Sequence, residues 1–166
     1  MTGSEELITV RLLQFPLELY RQASEHQDEL NREFALLQHV SSEDEASVPR
    51  RLRLLIQELD DRFGAFSAAP RSALATALDR GEKSIDVEYC VPPEAKEAVV
   101  TLGALLDEAD DFCRRGTHLL TLATPPGPLA LRRWYLGQFV AQIDGAEPTP
   151  WDQWERDTAP GPAARR

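Results

Sequence analysis

HLLTLATPPGPLALRRWYLGQFVAQI, residues 118–143, is the stretch from which the rest of the chain is read. A six-residue apolar run, HLLTLA, meets a break containing Pro125, Pro126 and Pro128, and a helical pattern follows. Proline lacks the backbone N–H and fixes φ, so it ends a strand and suits the first turn of a helix. The same succession of strand, proline and helix occurs at VRLLQFPLELYRQ (10–22) and at SIDVEYCVPPEAKE (84–97). Strands are therefore predicted at 7–15, 84–91 and 118–123. The second alternates, with Ile85, Val87, Tyr89 and Val91 on one face and Asp86, Glu88 and Cys90 on the other, the period of a half-exposed strand. HLLTLA is apolar throughout, as in a strand covered on both faces, and is read as the central strand.

Between and after these strands the apolar residues recur at helical spacing. Helices are predicted at 17–40, 49–66, 70–80, 94–115 and 129–143. Pro70 separates the second from the third, Ser47 is the N-cap of the second, and Gly81 closes the third. The predicted order is β-α-α-α-β-α-β-α. The fold class is α/β and helix-rich: a small three-stranded sheet with helices packed against it, in which 84–123 favours a parallel, right-handed crossover. The alternative is an all-α bundle with extended connectors. Residues 1–6 read as a flexible N-terminus, 7–145 as a single globular domain and 146–166 as a Pro/Gly-rich tail, disordered after Asp157. Trp151 and Trp154, one helical turn apart, are the part of that tail expected to dock.

The 166 residues carry 28 acids against 18 bases, a net charge of −10. Nucleic acid is bound by neutralising phosphates with Lys and Arg, so this balance argues against it, and against an anionic membrane surface. It permits a basic protein partner and leaves homo-oligomer formation open. No basic and apolar leader is read at the N-terminus and no apolar run approaches ~18 residues, so a cytoplasmic protein is expected. The two cysteines, Cys90 and Cys113, form no CxxC and have no matching His/Cys set, so neither a disulfide framework nor a zinc site is predicted. GxSxG, P-loop, GxGxxG and HExxH motifs are absent from the sequence. No catalytic residue, metal or cofactor is predicted.

Three features stand out as candidate contact sites. Arg132, Arg133, Trp134 and Tyr135 combine cationic and aromatic residue types enriched at interaction hot spots. Neighbours on a helix cannot share a face, so at least one of the four is expected to be exposed. Asp107 and Asp111, within the acid run Asp107, Glu108, Asp110 and Asp111, offer carboxylates to a basic partner or to Mg²⁺, although on one helix they point in several directions. His26 falls on the apolar stripe of the first helix and is a candidate pocket residue, against the simpler reading of a hydrogen-bonded core histidine.

At LLTLATPPGPLALRRWYLGQFV (119–140) the chain resembles the opening strand and helix of bacterial anti-sigma-type ATP-binding regulators, and over 7–154 it resembles uncharacterised bacterial proteins of the same partner-switching stress systems. The Glu-x-x-x-Asn and Asp-x-Gly-x-Gly boxes of those ATPases are missing; the nearest stretch, DELNREF (28–34), has the wrong spacing. The resemblance therefore implies at most a regulatory, protein-binding role, and ATP binding is not predicted. Two functions are expected from the sequence: a non-catalytic cytoplasmic regulatory module acting through protein–protein contact, or a small-molecule-binding or enzymatic domain. The pocket of the second would lie at the strand carboxyl ends, where Phe15-Pro16, Val91-Pro92 and Thr124-Pro125 gather.

Overall fold

Residues 6–37, 47–115 and 123–160 are described by the computed structural model. In chain order they form strand β1 (Ile8–Pro16), helices α1 (Leu17–Leu37) and α2 (Ser47–Asp79), strand β2 (Ser84–Val91), and helices α3 (Ala95–Arg115), α4 (Pro126–Ile143) and α5 (Trp151–Thr158). The general class is mixed and helix-rich. Among the described residues the sheet has two strands, paired antiparallel from Ile8 opposite Val91 to Pro16 opposite Ser84. That corrects the three-stranded sheet. Of the third predicted strand, 118–122 lie outside the described residues and Ala123 forms a bend.

The strands point their alternate residues inward, where Val10, Leu12, Val87, Tyr89 and Val91 are buried. A bulge interrupts β1: Leu12 opposes Val87 but Phe15 opposes Ile85, so β1 spends one extra residue there. The extra residue flips the parity of the strand. Without it Gln14 would face the core; with it Phe15 does, at 1% exposure. Gln14 takes a φ of 57° to make the turn and donates its N–H to Asp86 Oδ1 at 2.8 Å. That backbone region is disfavoured for an L side chain, and glycine enters it freely. Relief of the left-handed backbone, about 1–2 kcal/mol, exceeds the roughly 0.5–1 kcal/mol that the freedom of an unfolded glycine costs, so Gln14→Gly is expected to stabilise the protein slightly, measured by urea unfolding, whereas Gln14→Val destabilises it.

One long helix, α2, replaces the two predicted around Pro70. An interior proline costs about 3 kcal/mol in an isolated helix, but here both flanks are anchored. Phe63 and Phe66 before it, and Leu74, Ala77 and Leu78 after it, pack on the same core as the sheet, and packing rather than propensity sets where a helix ends. The helix stops where the sequence places its end. Gly81 adopts φ 69°, its N–H reaching Leu78 O while Glu82 N–H reaches Ala77 O, the paired closing bonds of a Schellman turn.

Two cores result. The larger joins the inner face of the sheet to α4, the second half of α2 and Trp151; the smaller joins Leu30 and Phe34 of α1, Leu52 of α2 and Leu105, Ala109 and Cys113 of α3. The proline-rich entry to α4 passes close to α1, where a Cβ on Gly127 would stand 2.8 Å from Leu19 Cδ2. Gln142 of α4 lies against β1: it accepts the Arg11 N–H and donates to the Arg11 carbonyl, each at 2.8 Å. Its amide also donates to Gln138 Oε1, which accepts the Thr149 N–H, while Trp134 Nε1 donates to Thr149 O. This polar ladder fixes the chain at Thr149 and seats α5. The tail is thus ordered into a helix through Thr158, correcting the expectation of disorder from residue 158 on for that residue, and Trp151 is 5% exposed.

Candidate functional site

A cleft of about 890 Å³ opens between the two cores and draws residues from α1, α2, β2, α3 and α4. Helical geometry explains its lining. On α1, Tyr20, Ala23, Ser24, Gln27 and Asn31 recur at three- and four-residue steps and form one stripe. On α3 the small and branched residues Ala95, Ala98, Val99 and Leu102 do the same. Tyr89 and Val91 are supplied by the alternation of β2, and Tyr135 and Phe139 by a single turn of α4. From α2 come Phe63 and Phe66, with Arg53, Gln57, Asp60 and Arg71. The chain contains three tyrosines, and all three line this cleft.

The floor is aromatic. Tyr89 and Phe139 meet with centroids 5.1 Å apart, Tyr135 and Phe139 also at 5.1 Å, and Phe15 backs Tyr20 and Tyr135 at 5.6 and 6.1 Å. Edge-to-face packing of this kind fixes ring orientation. Burial pushes the Tyr89 phenol above its ordinary range, and burial, followed by the neighbouring Tyr89 and Tyr20, pushes Tyr135 well above it. Both remain neutral hydroxyls at physiological pH, able to donate a hydrogen bond.

A second polar centre joins α1, α3 and α4. Arg132 Nη2 donates to Asp110 Oδ2 at 2.7 Å and to Asp107 Oδ1 at 2.8 Å, and its Nη1 donates to Thr124 Oγ1 at 3.3 Å. Asp110 also accepts the Thr124 hydroxyl at 2.6 Å and the Thr124 N–H at 2.9 Å. The Asp110 side chain is 5% exposed and that of Arg132 14%. Burial alone would raise the Asp110 carboxyl, but the two Thr124 hydrogen bonds and the Arg132 guanidinium outweigh it and hold the group below its usual range. His26 Nε2 lies 3.5 Å from Thr124 Oγ1, at the edge of this network.

The structure thus brings together three residues that the sequence singled out separately: His26, Asp107 and Arg132. They meet in a buried ion pair and its surroundings, and His26 is not among the residues that line the cleft. Trp134 is fully buried against Phe15 and Trp151 and is not open to a partner. Tyr135 lines the cleft, Arg133 is exposed, and Asp111 is exposed and paired with Arg114 at 2.7 Å. Cys113 is buried, and burial, then the charges of Asp110 and Glu33, push its thiol up to about 11, which leaves it unreactive. Among the described residues no group of three or more His, Cys, Asp or Glu is placed to hold a metal ion. No described helix is long and apolar enough to cross a membrane.

The described proline turns of the two strands do not gather at one end. Because β1 and β2 run antiparallel, Pro16 and Pro92 lie at opposite ends of the sheet, and the cleft sits against its inner face instead. Tyr20 and Tyr89, which sequence reasoning left out, were marked only by their rarity and by lying on inward positions. Comparisons with protein families, with curated proteins and with solved structures found no match to this chain.

Proposed function

We propose that the chain is a non-catalytic regulatory module that binds a small molecule in the cleft and answers a protein partner accordingly. The cleft carries this reading. Its volume of about 890 Å³ falls within the ~300–1,000 Å³ of small-molecule sites, and a mostly apolar lining with few convergent polar groups is their usual composition. The groups that line it are phenols, amides, guanidiniums and carboxylates, a set suited to holding and orienting a ligand. Contact with a partner is left to exposed groups such as Arg133 and Asp111. The bacterial, cytoplasmic, partner-switching setting rests on the resemblance at 119–140 and is part of the proposal.

The test is a thermal-shift screen with apolar metabolites. A ligand at 100 times its Kd is expected to stabilise the fold by about 2.7 kcal/mol, a rise of about 5–10 °C for a domain of this size. Ala98→Phe, which fills the cleft from α3, is expected to abolish the shift while the unliganded protein stays folded. A screen in which no apolar compound shifts the wild-type protein, and in which a fluorescent apolar probe finds no site, removes the proposal.

A further inference from the structure

The three cleft tyrosines have a feature that bears on what binds. The hydroxyls of Tyr89 and Tyr135 hydrogen-bond to each other, and with Tyr20 they line one cavity with an aromatic and aliphatic floor. A bond between two phenols uses one of their two protons, so the pair keeps a donor for a ligand. Arg71 lines the same cavity, and its charge is felt at Tyr89 and Tyr135. That guanidinium is lightly engaged: its contact with Asp60 is 3.9 Å long, its hydrogen bond to Ser67 Oγ is 3.3 Å, and its side chain is 65% exposed. Phenol donors and a cation therefore share a cavity in which Arg71 is held only loosely by the Asp60 carboxylate.

Resting on the cleft as a ligand site, we propose that its ligand is a monocarboxylate with an apolar body, the carboxylate accepting from the tyrosine hydroxyls and pairing with Arg71. Hydrogen bonds to an ionised acceptor are shorter and about twice as strong as those between neutral groups. A carboxylate also has several lone-pair sites, enough for more than one phenol together with a guanidinium. The apolar body lies along Val99, Leu102 and Phe139, and along Phe63 and Phe66 on the facing wall. A cationic amphiphile is disfavoured by Arg71, and a neutral alcohol gains no ion pair.

Isothermal titration of the full chain with decanoate, decanol and decyltrimethylammonium at pH 7.5 tests the proposal. Decanoate is expected to bind at least tenfold more tightly than decanol, and the ammonium more weakly than either. Arg71→Gln, a change at an exposed position, is expected to bring decanoate to the level of decanol without altering decanol. Tyr89→Phe with Tyr135→Phe keeps the rings and is expected to weaken decanoate more than tenfold. Equal binding of decanoate and decanol, or a preference for the ammonium, overturns the carboxylate while leaving the cleft as a binding site. Binding of none of the three, with no binding of a fluorescent apolar probe, overturns both.

Discussion

Arg132→Met is expected to cost about 3–5 kcal/mol of stability, because it strips the partner from a carboxylate that has nowhere else to turn. Asp110 is 4% exposed, and among the described residues its other hydrogen bonds come from Thr124. Methionine matches the length of the arginine stem, so the loss reports the charge more than the packing. Chemical denaturation measures it, and the midpoint of thermal unfolding is expected to fall on the order of 10 °C. Adding Asp110→Leu to Arg132→Met removes the stranded charge and is expected to recover a large part of the loss, since a buried pair exchanged for apolar groups is often near neutral. The same pair governs the acid limb. Asp110 has a folded-state pKa below its unfolded value, so its contribution is complete above about pH 4 and is lost as pH falls through the folded value. The Asp110→Asn variant is expected to lack that part of the acid transition.

The second large effect is expected at Trp134. It is 0% exposed, with Phe15 and Trp151 edge-on at 5.8 and 5.6 Å, and its indole N–H holds Thr149 O at 2.9 Å. Trp134→Ala is expected to cost about 3–5 kcal/mol through the cavity it leaves. It is also expected to release α5, because Trp151 loses its neighbour and Thr149 one of its two anchors. Tryptophan emission reports this directly: Trp151 and Trp154, stacked at 5.5 Å, shift to longer wavelength as they meet water. Trp134→Phe keeps most of the apolar volume but strands the Thr149 carbonyl, and is expected to cost about 1–3 kcal/mol. An emission spectrum that is unchanged in Trp134→Ala apart from the missing fluorophore, with stability intact, refutes this account of how α5 is held.

What could be read from sequence was what local pattern fixes. The alternation in SIDVEYCV marks β2 to the residue, and the stripe from Ala95 to Cys113 marks α3 almost to its ends. Gly81 marks a stop because only its positive φ suits the turn. Pro70 misled because local chemistry opposes a helix that distant packing supports. The bulge at Gln14 left no signature, since glutamine is not a residue the left-handed region favours. The chemistry of the polar centre was half legible. Asp107 and Arg132 drew notice as charges, but Asp110, the buried partner of Arg132, was submerged in an acid run where nothing local separates it from its exposed neighbours. The cleft was least legible, because five elements build it and no two of its tyrosines are close in sequence.

The side chain of Gln142 has a consequence for solubility. An isolated strand edge displays unpaired N–H and C=O groups on which another chain can add a strand. The two described strands have little interior and much edge, and β1, with Ile8, Val10 and Leu12 at alternate positions, is of a composition prone to such templating. At Arg11 the primary amide of Gln142 presents an acceptor and a donor, as a peptide group of a neighbouring strand would. The helix that carries it keeps the middle of this edge occupied, which opposes strand addition by another chain at that point.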